Sequence, residues 1–249
     1  MSQQTQIDRV VAKFEPFIEM FPTPAACAQA SLGELLIIWQ GLGYPRRCRN
    51  LHAAALVIVR EHDGQVPGTL DELLALPGVG PYTARAVLAF ATGADIGVVD
   101  TNIARVFARV VNRELGSREL QVIADEAVPI GHGWEWNQIL MDFGASVCTA
   151  RSPQCNECPI HSLCSWHGGP SHDPAPGSAG TSKPQARFEG SNRQARGRLL
   201  RALNDGAVKN SRAAQVMGLQ AHPDRSLRVV QSLLDDGLIV TSDSMYRLP

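Results

Sequence analysis

Four cysteines, Cys148, Cys155, Cys158 and Cys164, lie close together in the stretch GASVCTARSPQCNECPIHSLC that opens at Gly144. Six, two and five residues separate them, so one short piece of chain carries four thiolates. A [4Fe–4S] cluster is held by four such ligands. Tetrahedral zinc also accepts a Cys₄ set, although zinc sites more often show two CxxC arms across a long gap, and only one CxxC is present here. Ordinary core thiols would not gather four of six cysteines into one stretch. A disulfide framework belongs to small secreted chains, whereas this one has 249 residues and no secretory leader in MSQQTQIDRV. The thiols therefore point to a reducing, cytoplasmic setting.

A second candidate site is LPGVGPYTARAVLAF, from Leu76. A helix is expected to end at Pro77–Gly78, the chain to turn through Val79, and Pro81 to open the next helix, where its missing N–H costs nothing. Gly78 and Gly80 leave the turn bare, so backbone N–H groups can approach a phosphate, aided by the helix dipole. Such a helix–hairpin–helix grips a DNA backbone without reading sequence. A plain helix–helix corner with glycines reads the same way in isolation. The third candidate is Asp100 in VVDTNIARVFARV. It either caps a helix, or adds to the cap an ionised, partly buried carboxylate that faces a developing cation.

These residues must be positioned by helices. Ser31–x–x–Glu34 and Thr69–x–x–Glu72 are capping-box patterns, each ahead of an apolar-periodic segment. Leu51, Ala54, Ala55 and Ile58 form another helical stripe, as do Ile103, Val106, Phe107 and Val110. No apolar run approaches the roughly 20 residues of a membrane span. Net charge is −1, so the chain is not uniformly basic. Arginines 46, 47, 49 and 60 cluster without an acid, and Lys183, Arg187, Arg193, Arg196, Arg198 and Arg201 form a second basic stretch. Both suit solvated helix faces or local phosphate contacts. Residues 167–186, rich in Pro, Gly and Ser, read as a flexible linker. Beyond them, 187–249 read as a small separate α+β unit, helices followed by a hairpin, winged-helix-like. Cys27 and Cys48 read as buried or incidental thiols.

The order WQGLGYPRRCRNLH, LPGVGPYTARAV, VVDTNIARV, NQILMDFGASVC and the four cysteines closely resembles the MutY-type adenine DNA glycosylases of the helix–hairpin–helix superfamily. The likeness runs from Gln3 to about Trp166. It implies an all-α, two-lobed fold, with a helical barrel domain over 1–92 and an iron–sulfur domain over 93–166. It implies removal of adenine mispaired with 8-oxoguanine or guanine in double-stranded DNA, by flipping the base into a pocket. By that resemblance Asp100 is the catalytic aspartate that stabilises an oxocarbenium-like sugar, and Asn102 stands beside it. Tyr82 falls where endonuclease III relatives carry a lysine nucleophile; a phenol forms no Schiff base, so the enzyme is expected to be monofunctional. Leu42, Gly43 and Tyr44 of GLGY match the wedge that enters the base stack, though Leu42 and Tyr44 would serve as core in most proteins. Gln4 and Thr5 match the 8-oxoguanine side, Gln138 the flipped adenine, and Gly78, Val79 and Gly80 the backbone grip. The expected state is a monomer in the cytoplasm, associated with the nucleoid.

Two departures stand out. The family pattern reads SEVMLQQTQ where this chain starts MSQQTQ, which puts the general-acid glutamate upstream of Met1. Glu15 and Glu19 lie too far along to replace it. Either the start is misassigned, the favoured reading, or the chain is truncated; as written, the 249-residue polypeptide is expected to be severely impaired in base excision. The 187–249 unit is also too short for the Nudix-like domain of many relatives, and is expected to add phosphate contacts instead. The alternatives are a glycosylase for another mismatched base, such as thymine, or an inert cluster-bearing DNA-binding protein.

Overall fold

The computed structural model describes residue 1, residues 5–169, 172–181 and 187–249. Gln4 and Lys183 lie outside the described residues. The helices, in chain order, are α1 (Ile7–Met20), α2 (Pro24–Gln29), α3 (Leu32–Trp39), α4 (Pro45–Glu61), α5 (Leu70–Ala75), α6 (Pro81–Val87), α7 (Thr101–Val111), α8 (Ser117–Glu126), α9 (Gly133–Ser146), α10 (Asn192–Asn204), α11 (Ala213–Met217) and α12 (Pro223–Asp235). Three short strands follow the same numbering: β1 (Val208–Lys209), β2 (Val240–Ser242) and β3 (Met245–Arg247). The fold is thus predominantly helical with a small carboxyl-terminal sheet, as the sequence implies.

Packing divides the chain into two compact units, and not into the four consecutive segments expected from sequence. The first joins 1–67 and 76–78 to 185–249; the second holds 68–75 and 79–184. The carboxyl-terminal stretch is therefore not a separate body. One apolar cluster contains Phe17, Leu35, Trp39 and Cys48 together with Leu199, Leu203, Met217, Leu233 and Ile239. Cys27 and Cys48 are buried thiols within it.

Local rules explain the entry of α2 and α3 in the first unit. Ser31 and Glu34 close a full capping box at the start of α3. Thr23 Oγ1 accepts the Ala26 N–H at 3.1 Å to open α2. The carboxyl-terminal part runs α10, β1, α11, α12, β2, β3, with antiparallel strand order β1–β3–β2. That is the winged-helix-like arrangement. Its hairpin turns on Asp243 and Ser244, both at positive φ (51° and 60°), the demand of a two-residue type I′ loop.

Ion pairs fasten this part to α4. Asp236 lies just past α12 and accepts Arg46 Nε at 2.7 Å and Arg196 Nη2 at 2.5 Å. Its carbonyl oxygen accepts Arg49 Nη1 at 2.9 Å. Three of the arginines that read as solvated or phosphate-facing thus hold the fold together. Burial alone would raise the Asp236 pKa, but the Arg46 and Arg196 hydrogen bonds outweigh it and hold the carboxyl below its ordinary 3.8.

In the second unit α7 is the central element, buried from Ile103 to Arg109. Around it pack Leu115, Leu120, Ala124, Leu140 and Ala175. The stretch expected to be a flexible linker is ordered where it is described. Asp173 accepts Arg109 Nε at 3.1 Å and Nη2 at 2.6 Å, and Ala175 is buried. Ser178 Oγ accepts the Leu115 N–H at 3.0 Å and donates to the Pro174 carbonyl at 2.9 Å. A segment too polar to build its own core is ordered by docking on one that exists, through a buried guanidinium that needs a counter-ion.

Replacing Asp236 by Ala leaves Arg196 half-buried and uncompensated. Urea unfolding should show a loss of about 2 kcal/mol, below the 3–5 of fully buried pairs because Arg46 stays exposed. A depressed folded pKa stabilises above the unfolded value and is lost as pH falls through the folded one. The wild type should therefore lose this contribution only below about pH 3.8, and Asp236→Ala should lack that acid-side loss.

Candidate functional site

Asp100 is the N-cap of α7 and holds three donors. Its Oδ1 accepts the backbone N–H of Asn102 at 2.8 Å and of Ile103 at 2.7 Å. Its Oδ2 accepts Asn102 Nδ2 at 3.1 Å. The cap reading is thus correct, and Oδ2 is left without a backbone partner. Arg105 donates to Asn102 Oδ1 at 2.8 Å, which orients the Asn102 amide. Burial raises the Asp100 pKa above its ordinary 3.8, against the pull of these donors and of Arg105. Tyr82, on α6, is partly exposed, and its phenol is pushed up by burial and then by the Asp100 charge. The structure therefore brings Asp100, Asn102 and Tyr82 into one electrostatic neighbourhood.

Residues that the sequence did not single out fix this geometry. Asn137 on α9, only 1% exposed, accepts the Val98 N–H at 2.7 Å and donates to the Ile96 carbonyl at 2.9 Å. It thereby pins the extended chain that leads into Asp100. Gly144 on α9 closes on Asn102, where a Cβ would stand 2.7 Å from Asn102 Cβ. Gln138, expected at the base, is half-buried on α9 and its amide donates to Asp142 Oδ1 and Oδ2 at 3.1 Å.

The hairpin forms as expected. Thr69 Oγ1 donates to Glu72 Oε2 at 2.5 Å ahead of α5, and Pro81 opens α6 with Gly80 at its N-cap. Gly78 takes φ +76°, and a Cβ there would meet Asn50 Cβ at 2.5 Å, so only glycine fits. At Gly80 a Cβ would have nothing within 4 Å.

The GLGY loop brings a correction. Leu42 is 3% exposed and lies in the apolar cluster with Leu36 and Trp39, so it is core and not a presented wedge. The loop turns through Gly41 and Gly43 at positive φ, and Tyr44 follows at φ 48°. Tyr44 is half-buried, with Arg47 Cζ 5.4 Å from its ring centroid. Thr5 donates to the Leu42 carbonyl at 2.9 Å, and Arg47 donates to Thr5 Oγ1 at 2.7 Å.

The four cysteines carry free thiols and line one cavity with Val106, Arg109, Phe143 and Ile160. No carboxylate lines it. Arg109 Nη1 lies 3.3 Å from Cys148 Sγ, and the His167 N–H lies 3.3 Å from Cys164 Sγ. Gly168, at φ +75°, would put a Cβ 2.9 Å from Cys155 Sγ. Sulfur ligands with N–H donors aimed at them fit an iron–sulfur group.

Comparison with known proteins agrees with this geometry. Residues 1–124 match the HhH-GPD superfamily base excision DNA repair proteins, and 148–164 match the iron–sulfur binding domain of endonuclease III. An adenine DNA glycosylase of Mycolicibacterium smegmatis is 41% identical over the whole of this chain and 84% of that protein. A thermostable thymine-DNA glycosylase structure superposes with a TM-score of 0.62 at 28% identity, covering 67% of this chain and 79% of that one. A trapped endonuclease III–DNA covalent intermediate gives a TM-score of 0.61 at 29% identity, covering 67% and 80%.

Gly144→Ala drives a methyl group into Asn102. Thermal and urea melts should show a loss of about 1–3 kcal/mol, the usual range for overpacking.

Proposed function

The chain belongs to the adenine DNA glycosylases of the HhH-GPD superfamily, and we propose that it removes adenine mispaired with 8-oxoguanine or guanine from duplex DNA without cutting the strand. The four cysteines hold a [4Fe–4S] cluster, which supplies structure to the second unit. The observation that carries the reading is Asp100, a partly buried carboxylate held by three N–H donors at a helix start.

In the proposed reaction the bond between C1′ and the adenine nitrogen breaks, and its electron pair leaves with the base. The sugar is left as an oxocarbenium-like cation. Asp100 stabilises that charge, in parallel with the carboxylates of glycoside hydrolysis. Water then adds to C1′ and gives up its proton to solvent, while the departing adenine takes one up from solvent, so the products are free adenine and an abasic sugar. Asn102, fixed by Arg105, keeps the Asp100 carboxylate oriented. Tyr82 supplies no amine, so no Schiff base forms and the backbone stays intact. Gly78, Val79 and Gly80 offer N–H groups to phosphate; Thr5, Gly43 and Tyr44 meet the strand at the lesion, and Gln138 the adenine. Leu42 supports this loop from within. The protein acts as a monomer at the nucleoid. Among the described residues no helix is long and apolar enough to cross a membrane.

Single-turnover release of adenine from a duplex with 8-oxoguanine opposite the target tests this reading. Asp100→Asn should lower the rate by about 10²–10³-fold, the scale seen on removing one electrostatic stabiliser. Only the ionised carboxylate stabilises a cation, and its pKa is raised, so the wild-type rate should fall on acidification with a midpoint above 3.8. Strand breaks should appear only after alkali treatment. Release by Asp100→Asn at the wild-type rate would sink the proposal. Faster release of thymine from a G·T duplex would favour the thymine reading, which the 28% identical solved structure supports.

A further inference from the structure

The extended chain that leads into Asp100 is gripped along both edges by side chains. Two successive peptide groups are held, Ile96–Gly97 and Gly97–Val98. On one edge the Asn137 amide takes the Ile96 carbonyl and the Val98 N–H, and it is anchored by donating to the Gly133 carbonyl at 2.7 Å. On the other edge Asp125 Oδ1, from α8, accepts the Gly97 N–H at 2.9 Å. The Gly97 carbonyl accepts Gln121 Nε2 at 3.0 Å and Arg85 Nη1 at 3.2 Å. We propose that Asp125, acting with Arg85 and Gln121, is a positioning residue for base excision, fixing where the Asp100 carboxylate stands as the sugar becomes cationic. The inference rests on the glycosylase reading and adds these three side chains to it.

A peptide group held at both its carbonyl and its N–H cannot rotate; a central β-strand gains that constraint from a neighbour on each side. All three strands among the described residues belong to the first unit, so in the second unit side chains take the neighbours' place. Gly97 makes the approach possible. A Cβ there would stand 2.5 Å from the Ala124 carbonyl carbon, so the chain lies directly on the α8 backbone.

The outer grip is a closed ring. Asp125 Oδ1 also accepts Arg85 Nη1 at 2.5 Å and Gln121 Nε2 at 3.3 Å. One carboxylate oxygen thus gathers a cation, an amide and a backbone N–H, and no member of the ring moves alone. A neutral acceptor would satisfy the Gly97 N–H by itself. The charge on Asp125 does something further: it holds Arg85, whose side chain is only 14% exposed.

Arg85 lies in the last turn of α6, the helix that carries Tyr82 and opens at Gly80. The ring therefore ties the helix whose first turn faces the DNA backbone to the chain that ends in Asp100. A carboxylate stabilises a developing cation only when it is correctly aimed, and a 1 Å misplacement by a distant change can cost about 10²-fold in rate.

The test uses the full cluster-loaded chain and two duplexes that require no turnover. One carries a cationic pyrrolidine in place of the target sugar, the other a neutral tetrahydrofuran. The ratio of their dissociation constants reads how well Asp100 faces a positive charge. Wild type should favour the cationic duplex, and Asp100→Asn should lose that preference. Asp125→Ala should cut the preference by about tenfold or more, with affinity for the neutral duplex held within about twofold. Asp125→Asn keeps an oxygen for the Gly97 N–H and should fall between wild type and Asp125→Ala. Arg85→Ala should also lose preference, and the double variant should be no worse than the worse single, as for groups that act as one unit. It carries the same comparison if Asp125→Ala does not fold. Glu119→Ala breaks the exposed pair with Arg113 on the same helix and should change nothing. Folded Asp125→Ala or Arg85→Ala with the wild-type preference, whatever its melting temperature, overturns the proposal and leaves the glycosylase reading standing. A wild type that does not distinguish the two duplexes removes the glycosylase reading, and this inference with it.

Discussion

Two buried guanidiniums on α7 set the shape of the second unit. Arg105 is 7% exposed and Arg109 2%, and a buried charge is tolerated only when its donors are satisfied. The acceptors come from chain wrapped around the helix. Arg105 donates to the carbonyls of Cys148 at 2.7 Å and Gly144 at 2.5 Å; Arg109 donates to Thr149 at 2.8 Å and to Asp173. Stranding one buried charge costs roughly 3–5 kcal/mol, against roughly 1 for a lost N-cap. The arginines therefore dominate the local energetics. They fix where α9 ends, where the cysteine loop begins and why 172–181 docks at all.

One helix consequently serves two sites. Its first turn is built on Asp100, and its far end reaches the cysteine loop through Arg109 and through the Val110 and Arg109 carbonyls, which accept the N–H groups of Ser165 and Trp166 at 2.9 and 3.1 Å. Arg109 Cζ also lies 4.8 Å from the Trp166 ring centroid. The cluster loop is braced on the same rigid rod that places the carboxylate.

What could be read in the sequence was what local rules determine. The cysteine spacing, the Gly78–Gly80 turn, the Ser31 box and the carboxyl-terminal hairpin each depend on residues a few positions apart. What could not be read depends on partners far away along the chain. Asp173 meets Arg109 across 64 residues, and Asp236 meets Arg46 across 190. Without those pairs, 167–186 reads as linker and 187–249 as a detached unit. Leu42 was misplaced for a related reason, since a leucine in a glycine loop looks presented until its neighbours are known. The i, i+4 spacing of Arg105 and Arg109 inside an apolar stripe was the available signal for a buried polar seam.

Asp100 poses the finer question of whether a capping residue can also be a chemical one. Asparagine caps a helix about as well as aspartate and carries no charge to desolvate. Burial at this position acts against ionisation and raises the carboxyl pKa, so the charge adds nothing that a cap requires. The surroundings nevertheless favour the anion. Two backbone N–H groups bind Oδ1, Asn102 binds Oδ2, and Arg105 stands behind Asn102. Donors arranged around a group that burial would neutralise hold a negative charge in a fixed direction, in a place where water cannot screen it fully. A charge kept in this way is most effective against a cation that exists only as the glycosidic bond breaks.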